Sequence, residues 1–245
     1  MMTTTFSKSD AVVNISGAAR KPPHGKRGED MDTGMFINKI GMEHLESGRN
    51  CQDYGFALPH AYCVCDGCSE GKHTEVGAKL FCHFMSNPQE AIPDAFDRIV
   101  NFLGKEPQTL KDYCSFTVLR LTEQKEKYSL TYCGDGYIIL QDHDGNIIFE
   151  ELSDGEYPKY YVYNYIDRKY LKHYQNGVSF SRKTYSKKKY AKAGIASDGL
   201  RYILSADEKL KREFIDCLKS GKELKTKLFI NRNHKIFKDD VTIVF

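Results

Sequence analysis

The sequence lacks an apolar run that approaches the roughly 20 residues needed to span a bilayer. Its opening residues, MMTTTFSKSD, also lack the charged start and the apolar core of a secretion signal. Neither sign of charge is in large excess, since the formal net charge is only +3, which does not indicate a polyanionic partner for the whole chain. We therefore expect a cytoplasmic protein with no membrane partner.

A second C-x-x-C pair is also missing, so Cys65 and Cys68 lack the partners that would complete a zinc site. The sequence has eight cysteines. In a chain of this length without a signal peptide, we expect most of them to be free thiols that pack as small apolar side chains. A redox role for Cys65 and Cys68 is the alternative.

The composition, with 40% hydrophobic and 28% charged residues among 245, is that of a globular protein that can bury a substantial core. Residues 1–34 are rich in small, polar and charged residues and show little hydrophobic periodicity. They predict a flexible leader. We expect residues 35–245 to form a single domain.

The stretch from Ala61 to Phe81 is the centre of that domain. Strand-like residues run into Asp66-Gly67, a polar turn follows, and apolar residues then recur at helical spacing from Val76. An acidic residue at the end of a buried strand, followed by glycine, presents a carboxylate and an unobstructed carbonyl at one point. Both are hard oxygen ligands of the kind that magnesium and manganese prefer, although one Asp-Gly pair is also a common turn.

Other patterns predict the elements around this centre. Pro93 begins a helix that Gly104 closes, and strands follow over residues 113–152. Ser205 and Glu208 form a capping box for a later helix.

The segment from Tyr157 to Lys192 is rich in tyrosine and in basic residues. The alternation of tyrosines over residues 161–165 predicts a half-buried strand, followed by a solvated basic loop. The alternative is a surface that receives an acidic or phosphorylated partner through lysines 187–189.

Five acidic residues lie at strand boundaries: Asp53, Asp66, Asp135, Asp198 and Asp239. Several such residues in one domain indicate that they converge on a common edge. They would repel one another unless cations neutralise them. Two divalent ions bridged by carboxylates can lower the pKa of a water and hold the oxygens of a phosphoryl group during in-line displacement.

Five motifs in order carry a resemblance to a known family: GMEHLESGRNCQDYGF, YCVCDGCSEGKHTEVGA, YCGDGYIIL, AGIASDGL and DDVTIVF. We expect the first of them to be a loop. Over residues 37–245 the chain resembles the metal-dependent type 2C serine/threonine protein phosphatases, in particular their compact bacterial branch. The resemblance implies an α+β fold, a four-layer α-β-β-α sandwich with two antiparallel sheets flanked by helix pairs. It also implies two Mn²⁺ or Mg²⁺ ions per chain.

By position, the resemblance implies that Asp66 bridges both ions and that the Gly67 carbonyl binds one. Asp198 and Asp239 complete the other, and Asp53 acts through bound water. In some members a third ion is held at the position that corresponds to Asp135.

Three positions depart from the family pattern. Gln52 stands where glutamate is common, so an oxygen ligand is kept but a charge is lost. Gly48 occupies the place of a phosphate-holding arginine, and Arg49, one step later, is the candidate phosphate contact. His73 is a candidate general acid for the leaving alkoxide, and its alternative is an exposed histidine at a helix start.

The resemblance implies hydrolysis of phosphoserine or phosphothreonine in proteins, by direct attack of a metal-bound hydroxide and without a phosphoenzyme. The expected partners are a phosphorylated protein and a cognate serine/threonine kinase system, and the chain is expected to be a monomer. One alternative is a pseudophosphatase that binds phosphoproteins without turnover, which Gln52 and the displaced Arg49 favour. A metal-dependent nuclease or nucleic-acid binder is a further alternative, suggested by the basic tyrosine-rich segment, and it is less favoured.

Overall fold

The computed structural model describes residues 34–87, 89–153 and 157–245. The predicted leader, residues 1–34, lies outside the described residues except for Gly34. The boundary between leader and domain therefore stays a prediction.

The described strands form two five-stranded antiparallel sheets. In spatial order, the first sheet contains β1 (Phe36–Lys39), β10 (Val241–Val244), β9 (Tyr190–Ala196), β6 (Gly136–Asp142) and β7 (Ile147–Leu152). The second contains β2 (Tyr54–Leu58), β3 (Ala61–Gly67), β4 (Phe116–Glu123), β5 (Lys127–Cys133) and β8 (Ser181–Ser186). Apolar side chains from both sheets meet in one core between them, among them Val64, Leu119, Ile138, Ile195 and Val244.

Helices cover the outer face of each sheet. The described α-helices are α1 (Met42–Ser47), α2 (Thr74–Met85), α3 (Ile92–Leu103), α4 (Pro107–Cys114), α5 (Arg201–Leu204), α6 (Glu208–Lys219) and α7 (Glu223–Arg232). Helices α2, α3 and α4 share a core with the second sheet, and α6 and α7 share one with the first. The layers therefore run α-β-β-α, as predicted. None of the described helices is both long enough and apolar enough to cross a membrane.

The alternation of side chains along β3 explains how one strand serves two cores. Cys63 and Cys65 point toward the helices on the outer face, whereas Val64 points into the core between the sheets. Asp66 falls on the same face as Val64. Its carboxylate therefore comes to lie at the end of the strand and between the two sheets.

Several local predictions are wrong. Residues 42–47 of the expected loop form α1, which Gly48 ends with a left-handed φ of 68°. Tyr161–Tyr165 is a 3-10 helix and not a strand, because its rings pack against side chains on both sides. Tyr161 lies against Phe96 on α3, and Tyr163 lies against Tyr174.

The predicted capping box is also wrong. Helix α6 begins at Glu208, and its N-cap is Asp207, whose carboxylate accepts the backbone N–H groups of Lys209 and Leu210. Ser205 instead ends α5.

This difference gives a stability test. Asp207→Ala should lower the free energy of unfolding by about 1 kcal/mol, because two N–H groups at the start of α6 lose their acceptor. Ser205→Ala is the matched control and should change it by less than about 0.5 kcal/mol. Urea denaturation followed by circular dichroism measures both. A larger loss of unfolding free energy for Ser205→Ala than for Asp207→Ala would show that Ser205 caps the helix, as the sequence predicts.

Candidate metal centre

The strands bring predicted acidic residues to one end of the space between the sheets. Asp53 precedes β2, Asp66 lies near the end of β3, and Asp198 follows β9. Asp53 is 2% exposed, so its carboxylate is almost completely removed from water. The pairing of consecutive strands β2 and β3 brings Asp53 beside Asp66. Asp198 lies 132 residues after Asp66, and the sheet topology brings the two together.

Neutral groups orient the carboxylates. The Ser197 hydroxyl donates to Asp53 Oδ2 at 2.6 Å, and the same hydroxyl accepts the backbone N–H of Thr242 at 2.9 Å. The backbone N–H of Asp198 points at Asp66 Oδ2 at 3.4 Å. Asp53 and Asp66, on the second sheet, are thus connected to β10 and to the end of β9 on the first.

Burial and mutual repulsion shape the charge of the cluster. Burial raises the pKa of Asp66 well above its ordinary value, and the charges of Asp53, Asp198, Asp135 and Asp239 raise it further. Burial also raises the pKa of Asp198 to about 6, although Arg201, whose guanidinium lies 3.0 Å from the Asp198 carboxylate, opposes the rise. The cluster thus holds oxygen ligands and an excess of negative charge, which is the donor set that hard divalent cations favour.

The glycines of two Asp-Gly pairs are required by close packing. A Cβ on Gly67 would lie 2.5 Å from Thr74 Oγ1 and 2.8 Å from the Gln52 carbonyl oxygen. A Cβ on Gly199 would lie 1.9 Å from the Asp240 carbonyl oxygen. The short turns after Asp66 and Asp198 can therefore approach the neighbouring backbone only because no side chain follows the aspartate.

Asp240 is a buried carboxylate whose contacts sequence reasoning missed. It is 2% exposed, and its carboxylate accepts the backbone N–H groups of Gly41 at 2.7 Å and Gln52 at 2.6 Å. His44 Nδ1 lies 2.9 Å from it. The sequence contains a signal for this orientation. Asp240 and Val244 are four residues apart, so in an extended chain both side chains point to the same face, which for Val244 is the space between the sheets. Through these hydrogen bonds Asp240 fixes the loop before β2. Its half-buried neighbour, Asp239, is the one whose charge acts on Asp66.

Gln52 holds the turn that follows Gly67. Its side-chain amide donates to Thr74 Oγ1 at 2.7 Å and to the Gly71 carbonyl oxygen at 3.1 Å. An ionised glutamate could not donate to either oxygen. These two hydrogen bonds therefore explain why glutamine suits this position. Its Oε1 is buried and has no hydrogen-bond partner among the described residues, so this oxygen remains available to a ligand.

The other predicted site residues lie at the rim. Asp135 is exposed, but its charge still acts on Asp66. Arg49 is exposed and donates to the Ser69 carbonyl oxygen at 2.7 Å. His73 is exposed at the start of α2, with its ring 5.0 Å from that of Tyr113. The roles of Arg49 as a phosphate contact and of His73 as a general acid stay predictions.

A cavity of about 720 Å³ lies beside the cluster. One wall is the turn Cys68–Gly71, which begins two residues after Asp66, and another includes Lys111 and Asp112 on α4. Much of the remaining wall is aromatic and comes from the tyrosine-rich segment: Tyr157, Tyr160, Tyr163, Tyr170 and Tyr174. The cavity has the size of a small-molecule or side-chain pocket.

The lysines of that segment lie elsewhere. Strand β8 starts beside the end of β5 that is near Asp66 and runs away from it, so that Ser186 pairs with Lys127. Lys187 follows Ser186 and pairs with Glu123, at the far end of the sheet. Lysines 187–189 therefore lie away from the acidic centre, whereas the tyrosines border it. That these lysines receive an acidic or phosphorylated partner stays a prediction.

Comparisons with known proteins agree with this geometry. The sequence profile of the protein phosphatase 2C family matches residues 40–228. Similar solved structures include a bacterial serine phosphatase, which is 14% identical, covers 86% of this chain and 95% of that chain, and has a TM-score of 0.59. A comparison with curated proteins gives no match.

Two further solved structures have the same fold. The catalytic domain of the serine/threonine protein phosphatase PstP, in complex with two manganese ions, is 16% identical, covers 85% of this chain and 94% of that chain, and has a TM-score of 0.57. The serine/threonine phosphatase Stp1 from Staphylococcus aureus is 15% identical, covers 92% and 98%, and has a TM-score of 0.56. Identities this low show the fold alone.

The raised carboxyl pKa values predict how the metal-free protein responds to pH. A carboxyl group whose pKa is higher in the folded than in the unfolded state stabilises the fold at low pH, and this stabilisation is lost as pH rises through the folded pKa. With chelator present, the free energy of unfolding should therefore fall between about pH 4 and pH 7, the range that the pKa of Asp198 indicates.

Asp66→Asn should make that fall smaller, because one ionisable member of the cluster is gone. Asp216→Asn, on the exposed side of α6, is the matched control and should keep the wild-type slope. Urea denaturation at several pH values measures both. An unchanged slope in Asp66→Asn would show that the carboxylates do not repel one another as described.

Proposed function

The chain belongs to the protein phosphatase 2C family, and we propose that it is a metal-dependent enzyme that hydrolyses phosphoserine or phosphothreonine in proteins. The observation that carries this proposal is the convergence of buried Asp53 and half-buried Asp66 with Asp198 at one end of the two sheets. The family and the shared fold support a protein phosphatase, and the two manganese ions of the PstP catalytic domain support a divalent cofactor. A serine/threonine kinase is the class of enzyme that makes such a substrate.

The chain's own residues fit such a cofactor. Asp66 and the Gly67 carbonyl would hold the ions together with Asp198 and Asp239, and Asp53 would hold a bound water. When bound, two divalent ions lower the pKa of a water and neutralise charge on the phosphoryl oxygens. We propose that water attacks phosphorus directly at this centre, with no phosphoenzyme intermediate.

The remaining residues position these groups. Ser197 holds the Asp53 carboxylate through its hydroxyl, and Arg201 holds that of Asp198 at the rim. Gln52 fixes the turn after Gly67. Because these contacts exist before substrate arrives, little reorganisation is needed when charge develops on the phosphoryl group.

The aromatic cavity fits the part of the substrate next to the phosphorylated residue. Its wall begins two residues after Asp66, so a peptide whose phosphate reaches the cluster would pass its mouth. Lys111 is already engaged with the Tyr170 carbonyl oxygen, and Asp112 with Gln108. The tyrosines therefore supply much of the surface that the cavity offers to a peptide side chain, together with Glu70, Lys172 and His173.

Turnover should depend on manganese or magnesium, and a chelator should abolish it. Asp66→Asn should lower kcat by about a hundredfold or more, equivalent to about 2.7 kcal/mol or more in the barrier, because an amide cannot supply the charge of a bridging carboxylate. Hydrolysis of an aryl phosphate and of a phosphothreonine peptide, with Asp216→Asn as control, measures this. Wild-type turnover in a folded Asp66→Asn protein would refute the proposed function. A wild type that binds phosphopeptide without turnover would be a pseudophosphatase.

The cavity has a test of its own. Tyr170 lines it and is 52% exposed, so Tyr170→Ala should leave the fold intact. It should raise KM for a phosphothreonine peptide roughly twofold to tenfold, the equivalent of one aromatic contact. The kinetics of a small aryl phosphate should change less, because that substrate lacks the neighbouring peptide side chain that would occupy the cavity. Tyr190→Ala, which removes a tyrosine on β9 outside the cavity, is the control. Equal losses of activity on the peptide and on the aryl phosphate would show that the tyrosine-rich segment has only a structural role.

A further inference from the structure

Three thiols meet in the core on the outer face of the second sheet. Cys63 and Cys65 project from β3 on the same side, and Cys82 approaches them from α2. Their three Sγ atoms all lie within 4.8 Å of one another, and the Sγ atoms of Cys65 and Cys82 are 3.7 Å apart. None of the three side chains is more than 2% exposed.

We propose that Cys63, Cys65 and Cys82 form a second metal site, which binds a soft divalent cation of the zinc and cadmium class through three thiolates. Thiolate sulfur is a soft ligand and selects soft ions, whereas the carboxylates at the end of β3 select hard ones. Binding releases three thiol protons to solvent and forms three metal–sulfur bonds, and no oxidant or reductant is needed. This site is independent of the proposed phosphatase activity.

Charge balance supports a divalent ion. Arg120 lies opposite Cys63 in the pairing of β3 with β4, and its positive charge acts on Cys63. Its Nε atom is buried and has no hydrogen-bond partner among the described residues. Three thiolates and one divalent ion carry one net negative charge, which the guanidinium neutralises. A monovalent ion would leave a net negative charge in the core, which is costly to bury.

The cluster offers three protein ligands among the described residues, one fewer than structural zinc sites use. Zinc or cadmium would therefore complete its coordination with a small ligand such as water. Cadmium is the suitable probe, because its thiolate complexes have a charge-transfer absorbance. Because the cluster is fully buried, the ion would bind during folding or through an opening of α2.

The experiment titrates cadmium into reduced protein, with magnesium in excess so that the carboxylates are occupied. The thiolate-to-cadmium charge-transfer absorbance reports sulfur ligation only, and the same titration is made after refolding with cadmium present. We expect one tightly bound cadmium per chain, with the absorbance of three thiolates, and a higher melting temperature.

Two variants separate the cluster from other thiols. Cys82→Ala removes one ligand and should weaken cadmium binding by at least about tenfold. Cys114→Ala is the matched control, because Cys114 is equally buried in the same core but outside the cluster, and its affinity should be that of wild type. Cadmium NMR of the wild type gives the number of sulfur ligands even if a variant fails to fold.

Two results would overturn the proposal. One is no charge-transfer absorbance in the folded wild type after both procedures. The other is equal cadmium affinity in Cys82→Ala and wild type. Neither result bears on the phosphatase proposal, which the aryl phosphate assay tests separately.

Discussion

The structure depends on holding several carboxylates together where there is little water. Burial and mutual repulsion both raise the pKa of Asp66, so without cations the cluster destabilises the fold. Three apolar cores, one between the sheets and one on each outer face, offset that cost. A divalent cation that binds only the folded state would make the contribution of the cluster to stability favourable. Repulsion among the carboxylates would then be outweighed by their attraction to the cation.

The surroundings of the cluster follow from that role. Inside, neutral donors orient the carboxylates: the Ser197 hydroxyl contacts Asp53, and backbone N–H groups contact Asp66 and Asp240. A buried lysine or arginine in their place would neutralise the charge but would compete with metal ions for the same oxygens. Arg201 is at the rim, with half of its side chain exposed, and its guanidinium forms an ion pair with Asp198.

The family resemblance implied the layers. The acidic residues at strand boundaries, which are local signals, indicated that several carboxylates converge on one edge. Sequence reasoning missed Asp240, since two adjacent carboxylates before a strand differ only in the face to which they point. It placed Tyr161–Tyr165 in a strand because alternating tyrosines match the period of two of a strand, whereas the segment forms a 3-10 helix with three residues per turn. It did not show where lysines 187–189 lie relative to the centre, because sequence distance does not reveal that β8, six residues long, carries the chain about 20 Å away.

Strand β3 connects these observations, because its pleat separates two kinds of ligand within four residues. Cys63 and Cys65 face the helices, and Asp66 faces the space between the sheets. Sulfur and oxygen ligands on one strand would otherwise compete for the same ions. Because opposite faces of a sheet cannot contribute to one coordination sphere, each set can select by softness alone. The strand that presents Asp66 can thus pack its two cysteines against α2 on the face opposite the carboxylate.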